Sequence, residues 1–161
     1  MTGPAAPCLG AAASATLSGK NGEDHAMSRT AACSCGQLTV TVRGEPDYVA
    51  ACSCLECQKS TGSVFGVSTY WPKAALVSIT GKSTCWRRGS AAGRWIDNYF
   101  CPVCGSTLYW YMEGAPDSIG ISAGNFADPA FPPPTYAVWC ENKHPWVTFP
   151  EGCQQHQQQS K

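Results

Sequence analysis

Charge is scarce in this sequence, and neither sign dominates. Charged residues make up 14% of the chain, and 11 lysines and arginines balance 11 acids. Nothing global draws such a protein to nucleic acid or to an anionic membrane. No apolar run reaches transmembrane length. The N-terminus, MTGPAAPCLGAAASATLSGK, lacks the basic start and strong apolar stretch of a secretory signal. Cys8 follows a proline, a poor setting for a lipoprotein cysteine. No long amphipathic helix and no repeat with a period of about 20–50 residues can be read. These absences lead to the expectation of a cytoplasmic globular protein with no membrane and no nucleic-acid partner.

What the chain does have is apolar content and cysteine. Hydrophobic residues occupy 43% of 161 positions, enough for one domain with a substantial core. Eleven cysteines are many for this length. In a small secreted chain they would mean disulfides; in a reducing compartment they point to metal.

Residues 1–28 are rich in Ala, Gly, Ser and Thr without apolar period, and a disordered extension is expected there. Met27 stands just before the first patterned segment and is a candidate natural start. Residues 29–150 carry the patterned domain. The polar tail 151–161, CQQHQQQSK at its end, is expected to be flexible. Within the domain, Leu38, Val40 and Val42 alternate with Gln37, Thr39, Thr41 and Arg43, the mark of a half-buried strand. DYVAACSC, GSVFGVSTYWP, ALVSITGK and STCWRRG read as further strands, the last two as a hairpin turning near Gly81. RWIDNYFCPVCGSTLYWYM reads as a hairpin with cysteines at its tip, SIGISAGNF as a strand, and FPPPTYAVW as a proline-stiffened extended segment. CLECQKST allows one helical turn. The predicted class is mainly β, antiparallel, with little helix.

Seven cysteines fall into three motifs: Cys33-Ser-Cys35, Cys52-Ser-Cys54-Leu-Glu-Cys57, and Cys101-Pro-Val-Cys104-Gly. The last is a zinc-knuckle pattern, with two thiolates converging at a hairpin tip and a glycine letting the backbone turn beneath the metal. A closed tetrahedral zinc needs four ligands, and Cys33 with Cys35 supplies the other half. The three cysteines left over, Cys52, Cys54 and Cys57, match three protein ligands plus an open position, the arithmetic of a catalytic zinc. Cys140 and His144 are the suspects for a fourth ligand that would close that site. Iron–sulfur ligation is the weaker alternative. A redox Cys-x-x-Cys wants a βαβ setting that this chain lacks, and bridges within Cys-x-Cys are geometrically poor. Cys85 and Cys140 read as packing residues, and Cys8 and Cys153 as incidental.

Three thiolates leave the zinc unit near a charge of about −1 and weaken its Lewis acidity. Such a site still deprotonates a thiol outright. A free thiol titrates near about 8.5 and is mostly protonated at neutral pH. The substrate expected from this chemistry carries sulfur, made or broken at a carbon–sulfur bond.

CSCG, CSCLECQKSTGSVFG, FCPVCGSTL and the late HPW, in that order, resemble the glutathione-dependent formaldehyde-activating family, which includes domains related to centromere protein V. The resemblance covers about residues 29–150. It implies a β-tent fold of antiparallel sheets stapled by zinc. It implies a structural zinc on Cys33, Cys35, Cys101 and Cys104, and a catalytic zinc on Cys52, Cys54 and Cys57, two per chain. It implies a carbon–sulfur lyase or its reverse, joining glutathione and formaldehyde into S-hydroxymethylglutathione.

Other residues are candidates of lesser weight. Ser60, Thr61, Gly62 and Ser63 could donate hydrogen bonds to substrate or simply shape the metal loop. Arg87, Arg88 and Arg94 could bind the carboxylates of glutathione, although a solvated face is the plainer reading. His144 is a candidate proton shuttle, against the plainer reading of a loop histidine. Asp97 and Glu141 are alternative acceptors without a spacing argument. Phe65 reads as core, Trp71, Trp110, Trp139 and Trp146 as core or pocket wall, and His25 and His156 as residues of loose ends. Competing readings are the same scaffold with another small-molecule substrate, and a non-enzymatic zinc interaction module.

Overall fold

A computed structural model describes residues 27–90 and 92–159. The disorder expected of residues 1–28 falls, for 1–26 with Cys8 and His25, outside the described residues; Ser28 is the first residue of a strand, opposite Arg43. Among the described residues eleven strands and one α-helix follow in the order β1 (Ser28–Ala32), β2 (Thr39–Arg43), β3 (Tyr48–Cys52), α1 (Leu55–Thr61), β4 (Gly66–Pro72), β5 (Leu76–Thr80), β6 (Thr84–Gly89), β7 (Trp95–Phe100), β8 (Thr107–Met112), β9 (Ala115–Ser122), β10 (Tyr136–Val138) and β11 (Gln154–Gln155). The mainly β, antiparallel class is as expected. The turn allowed at CLECQKST is a seven-residue helix.

The strands form two sheets. One has the order β1-β2-β5, the other β11-β10-β3-β4-β9-β8-β7-β6. Pairing is antiparallel throughout except at β10, which runs parallel to both β3 and β11. The core lies between the sheets. Ala31, Val40 and Val42 come from the small sheet and Leu38 from the bend that leads into it; Trp71, Tyr99, Tyr109, Ile119 and Ile121 come from the large one. Each fully buried aliphatic side chain contributes roughly 1.5–3 kcal/mol of transfer free energy. The buried Trp71 indole donates to Thr69 Oγ1 at 2.9 Å, and Thr69 Oγ1 donates to the Ile121 carbonyl at 3.1 Å, so neither polar group is stranded.

Two expectations are corrected. β5 and β6 are not a hairpin: β5 pairs with β2 and β6 with β7, so the turn at Gly81 carries the chain from one sheet to the other. Gly81 has φ 96°, and a Cβ there would collide with the Gln37 carbonyl oxygen. Only glycine allows this crossing. The polar tail is not loose over 154–158. Gln154 and His156 donate backbone N–H groups to the carbonyls of Thr135 (2.9 Å) and Ala137 (2.8 Å), and the His156 and Gln158 carbonyls accept from Cys140 (3.0 Å) and Trp139 (3.3 Å). A polar sequence holds its place here through backbone pairing at a sheet edge, which needs no apolar side chains.

Candidate metal and substrate site

The seven motif cysteines are free thiols, and they gather into two groups. Within each group the sulfur atoms lie within 4.8 Å of one another.

The first group is Cys33, Cys35, Cys101 and Cys104. Cys33 and Cys35 lie in the turn between β1 and β2; Cys101 and Cys104 lie at the tip of the β7–β8 hairpin. The cluster therefore joins the small sheet to the large one. Gly36 (φ 77°) and Gly105 (φ 75°) take the left-handed turns that let each pair converge. Gln37 Nε2 donates to Cys101 Sγ at 3.0 Å, and Leu38 N to Cys33 Sγ at 3.3 Å. The Ser106 hydroxyl and backbone N–H pull the Cys104 thiol down to about 5. Burial pushes the Cys101 thiol up, but N–H groups of Cys104, Gln37 and Val103 outweigh it and the net shift is downward. At Cys35 an N–H from Gln37 pulls down, while burial and the neighbouring thiols raise it to about 12.

The second group is Cys52, Cys54 and Cys57. Cys52 ends β3. Cys54 is the N-cap of α1, its sulfur accepting the Cys57 N–H at 3.4 Å, and Gly62 closes the helix in the left-handed region at φ 65°. The cap places Cys54 and Cys57 on one side of the first turn. The Cys52 and Cys57 thiols, donating to Cys54, hold it well below the usual thiol range, helped by the Arg88 charge. Cys52 is raised, chiefly by the thiols of Cys54 and Cys57. Cys57 is lowered by Cys52 but raised more by Cys54 and burial, to about 11. In both groups some sulfurs are favoured as thiolates only while their neighbours stay protonated. A soft divalent cation resolves that conflict by replacing the protons, and an all-thiolate donor set suits zinc. Both groups fit a metal ion.

They differ in what surrounds them. Cys52, Cys54 and Cys57 line a cavity of about 550 Å³, and none of the other four does. The cavity is built by strand periodicity. Along the large sheet, Tyr136, Ala50, Ser68, Ser122, Trp110 and Asn98 project to the cavity side, while Val49, Thr69, Ile121 and Tyr99 project to the core. Eight strands laid flat would span roughly 34 Å at the usual strand spacing. One cavity touching β11 at one edge and β6 at the other requires the sheet to curl around it. Its walls include Tyr48, Tyr70, Tyr136 and Trp110. Tyr48 stacks on Tyr70 at 4.6 Å and meets Tyr136 edge-on at 5.9 Å. Gly120 makes room for the Trp110 indole, into which a Cβ would run.

Among the described residues no carboxylate lines the cavity, but two guanidiniums do, Arg88 and Arg94. The period of two separates the neighbours Arg87 and Arg88. Arg87 turns to the core side, binds the buried Asp97 through both oxygens (2.6 and 2.8 Å) and stacks over Trp95 at 4.4 Å. Arg88 faces the cavity. Its Nη2 lies 3.8 Å from Cys57 Sγ, and its Nε is buried without a partner. Arg94 packs over Gly114, where a Cβ would sit 2.8 Å from its Cζ.

The lesser candidates sort as follows. Ser60 and Thr61 line the cavity, but both hydroxyls donate to the Cys57 carbonyl (3.3 and 2.8 Å). Gly62 is the helix cap, and Ser63 is outside the cavity lining. Neither Cys140 nor His144 joins the three-sulfur group. His144 is also outside the lining and sits 5.8 Å from the exposed Trp146. Asp97 is occupied by Arg87, and Glu141 is exposed. Phe65 meets Phe149 edge-on at 5.5 Å, Trp71 is core, and Trp110 and Trp139 are cavity wall. Sequence reasoning missed the tail: Gln154, His156 and Gln159 all reach the cavity. No alternation in the run of glutamines signals this, because backbone pairing with β10 sets which side chains face the cavity.

The family model described as glutathione-dependent formaldehyde-activating enzyme matches residues 28–142. The chain belongs to that family. The matched stretch contains both cysteine groups and both cavity arginines. No curated protein matches the chain. Among solved structures, a crystal structure of a Rhodobacter sphaeroides protein is similar at 18% identity, with a TM-score of 0.47, covering 60% of this chain and 85% of that one. Among the described residues no helix is long and apolar enough to cross a membrane.

Proposed function

We propose that this family member is a zinc-dependent carbon–sulfur lyase or synthase acting on glutathione-type thiol adducts, with formation of S-hydroxymethylglutathione as the type reaction. The observation that carries the reading is the contrast between the sulfur groups: four thiols tie the two sheets outside the cavity, and three line it. Cys33, Cys35, Cys101 and Cys104 would hold a structural ion, and Cys52, Cys54 and Cys57 a second one with room for a substrate sulfur. Zinc, when bound, would keep that sulfur as thiolate at neutral pH.

The chain's own residues account for the rest. Arg88 places positive charge beside Cys57; that charge helps lower Cys54 and partly offsets the rise at Cys57. With Arg94 it offers donors to the carboxylates of a glutathione-like molecule. In the forward direction the substrate sulfur gives up its proton and its lone pair forms the bond to the carbonyl carbon. The carbonyl electron pair moves to oxygen, which takes up a proton, so the adduct is the sum of thiol and aldehyde. Residues 29–150 carry both sulfur groups and the cavity arginines of this reading, with Gln154, His156 and Gln159 completing the wall, and the cytoplasm suits it because its thiols must stay reduced. Exchange spectroscopy of glutathione and formaldehyde tests it: zinc-loaded protein should raise the exchange rate above the spontaneous one, and Cys54→Ser should not. Equal rates with and without protein would refute the formaldehyde activity.

A second electrophile on the same scaffold is favoured by one observation. A cavity of about 550 Å³ walled by three tyrosines and three tryptophans is far larger than formaldehyde needs. A panel of glutathione adducts with aliphatic and aromatic aldehydes would show which group those walls receive.

A further inference from the structure

The C-terminal segment does more than extend the sheet. β11 adds to the β10 edge in parallel register, Tyr136 opposite Gln154 and Ala137 opposite Gln155. Period two then turns Gln154 and His156 to the cavity, and Gln159 reaches it as well. His156 is fastened on both sides of its backbone, donating to Ala137 and accepting from Cys140. Its side chain reaches the cavity, where its Nε2 is buried and has no hydrogen-bond partner. A buried polar atom left unpaired is costly, and a partner in the cavity removes that cost. Trp139 adds to this wall in the left-handed region at φ 57°, its N–H donating to the Gln158 carbonyl. The segment lies beyond the stretch that matches the family, residues 28–142. β11 is also the edge of the large sheet opposite β6, which carries Arg88.

We infer that residues 153–159 form a substrate-reading wall, in which His156 Nε2 hydrogen-bonds the part of the thiol substrate remote from sulfur. Imidazole and two primary amides match amide and carboxylate groups, so the wall selects a peptide-like thiol over a simple alkyl thiol. The inference rests on the thiol-binding reading above and names the residues that would give it selectivity.

The test is isothermal titration of zinc-loaded full-length protein with glutathione and, separately, with 2-mercaptoethanol, which keeps the sulfur and drops the peptide. His156→Ala should weaken glutathione roughly three- to tenfold and leave 2-mercaptoethanol unchanged. His156→Gln, which keeps an N–H at similar reach, should recover most of the loss. Metal content and thermal midpoint should match the parent in both variants. Unchanged glutathione binding in His156→Ala overturns the inference and leaves the thiol site standing. Equal weakening of both thiols also overturns it, because the histidine would then act on the sulfur site. If the parent protein binds neither thiol, the proposed function falls and this inference with it.

Discussion

Arg88 Nη2 stands 3.8 Å from Cys57 Sγ, bringing β6 at the edge of the large sheet to the helix that supplies one sulfur of the three-sulfur group. The contact joins one of the two arginines of the cavity wall to its sulfur chemistry. Arg88→Ala should weaken glutathione binding roughly tenfold or more, the usual cost of a lost charged hydrogen bond. Arg88→Lys should fall between, since it keeps the charge and loses the fork. Titration calorimetry reads both. Unaltered affinity in Arg88→Ala would remove it from the substrate site.

The two sulfur groups should respond differently to loss of one ligand. Cys101 is fully buried and links the sheets, and a structural metal there would supply folding free energy directly. Cys101→Ser should drop the thermal midpoint by more than about 10 °C. Cys54→Ser should lose one metal equivalent with a much smaller change in midpoint. Equal losses in the two variants would contradict the division of roles.

Gly81 makes the crossing between sheets, and Gln37, against which it packs, also donates to Cys101 Sγ. Gly81→Ala should cost roughly 1–3 kcal/mol from the positive φ, plus the shift forced on Gln37. Chemical denaturation measures the cost. Faster zinc loss to a chelator should accompany it, and a variant as stable and as zinc-retentive as the parent would refute the coupling.

Burial raises the phenols of Tyr48, Tyr70, Tyr99, Tyr109 and Tyr111 above the ordinary value of 10.0, Tyr111 to about 12. A raised folded value favours the protonated phenol in the native state. That contribution is complete below the unfolded value and is lost as pH climbs through the folded ones. Stability should therefore decline from about pH 10 upward, and Tyr70→Phe should make the decline shallower. Denaturation midpoints across that range check both; a flat profile would contradict the burial of these groups.

Much of this was legible beforehand because it is local. Leu38, Val40 and Val42 announce their strand by alternation, and Cys101-Pro-Val-Cys104-Gly announces its hairpin by spacing. The strand partners of β5 and β6 were not legible. A turn glycine such as Gly81 looks the same whether the chain returns to its own sheet or crosses to another. Arg87 and Arg88 are adjacent in sequence and opposite in role, and only the sheet's two faces separate them. The tail was misread because its order comes from backbone bonds to β10, which leave no mark in a glutamine-rich sequence.

Metal analysis combined with a glutathione titration of cobalt-substituted protein tests the central claim most directly. The account predicts two metal ions per chain, with glutathione altering the visible spectrum of the one held by Cys52, Cys54 and Cys57 and leaving the other unchanged. One metal per chain, or two whose spectra ignore glutathione, would contradict an open sulfur-binding site.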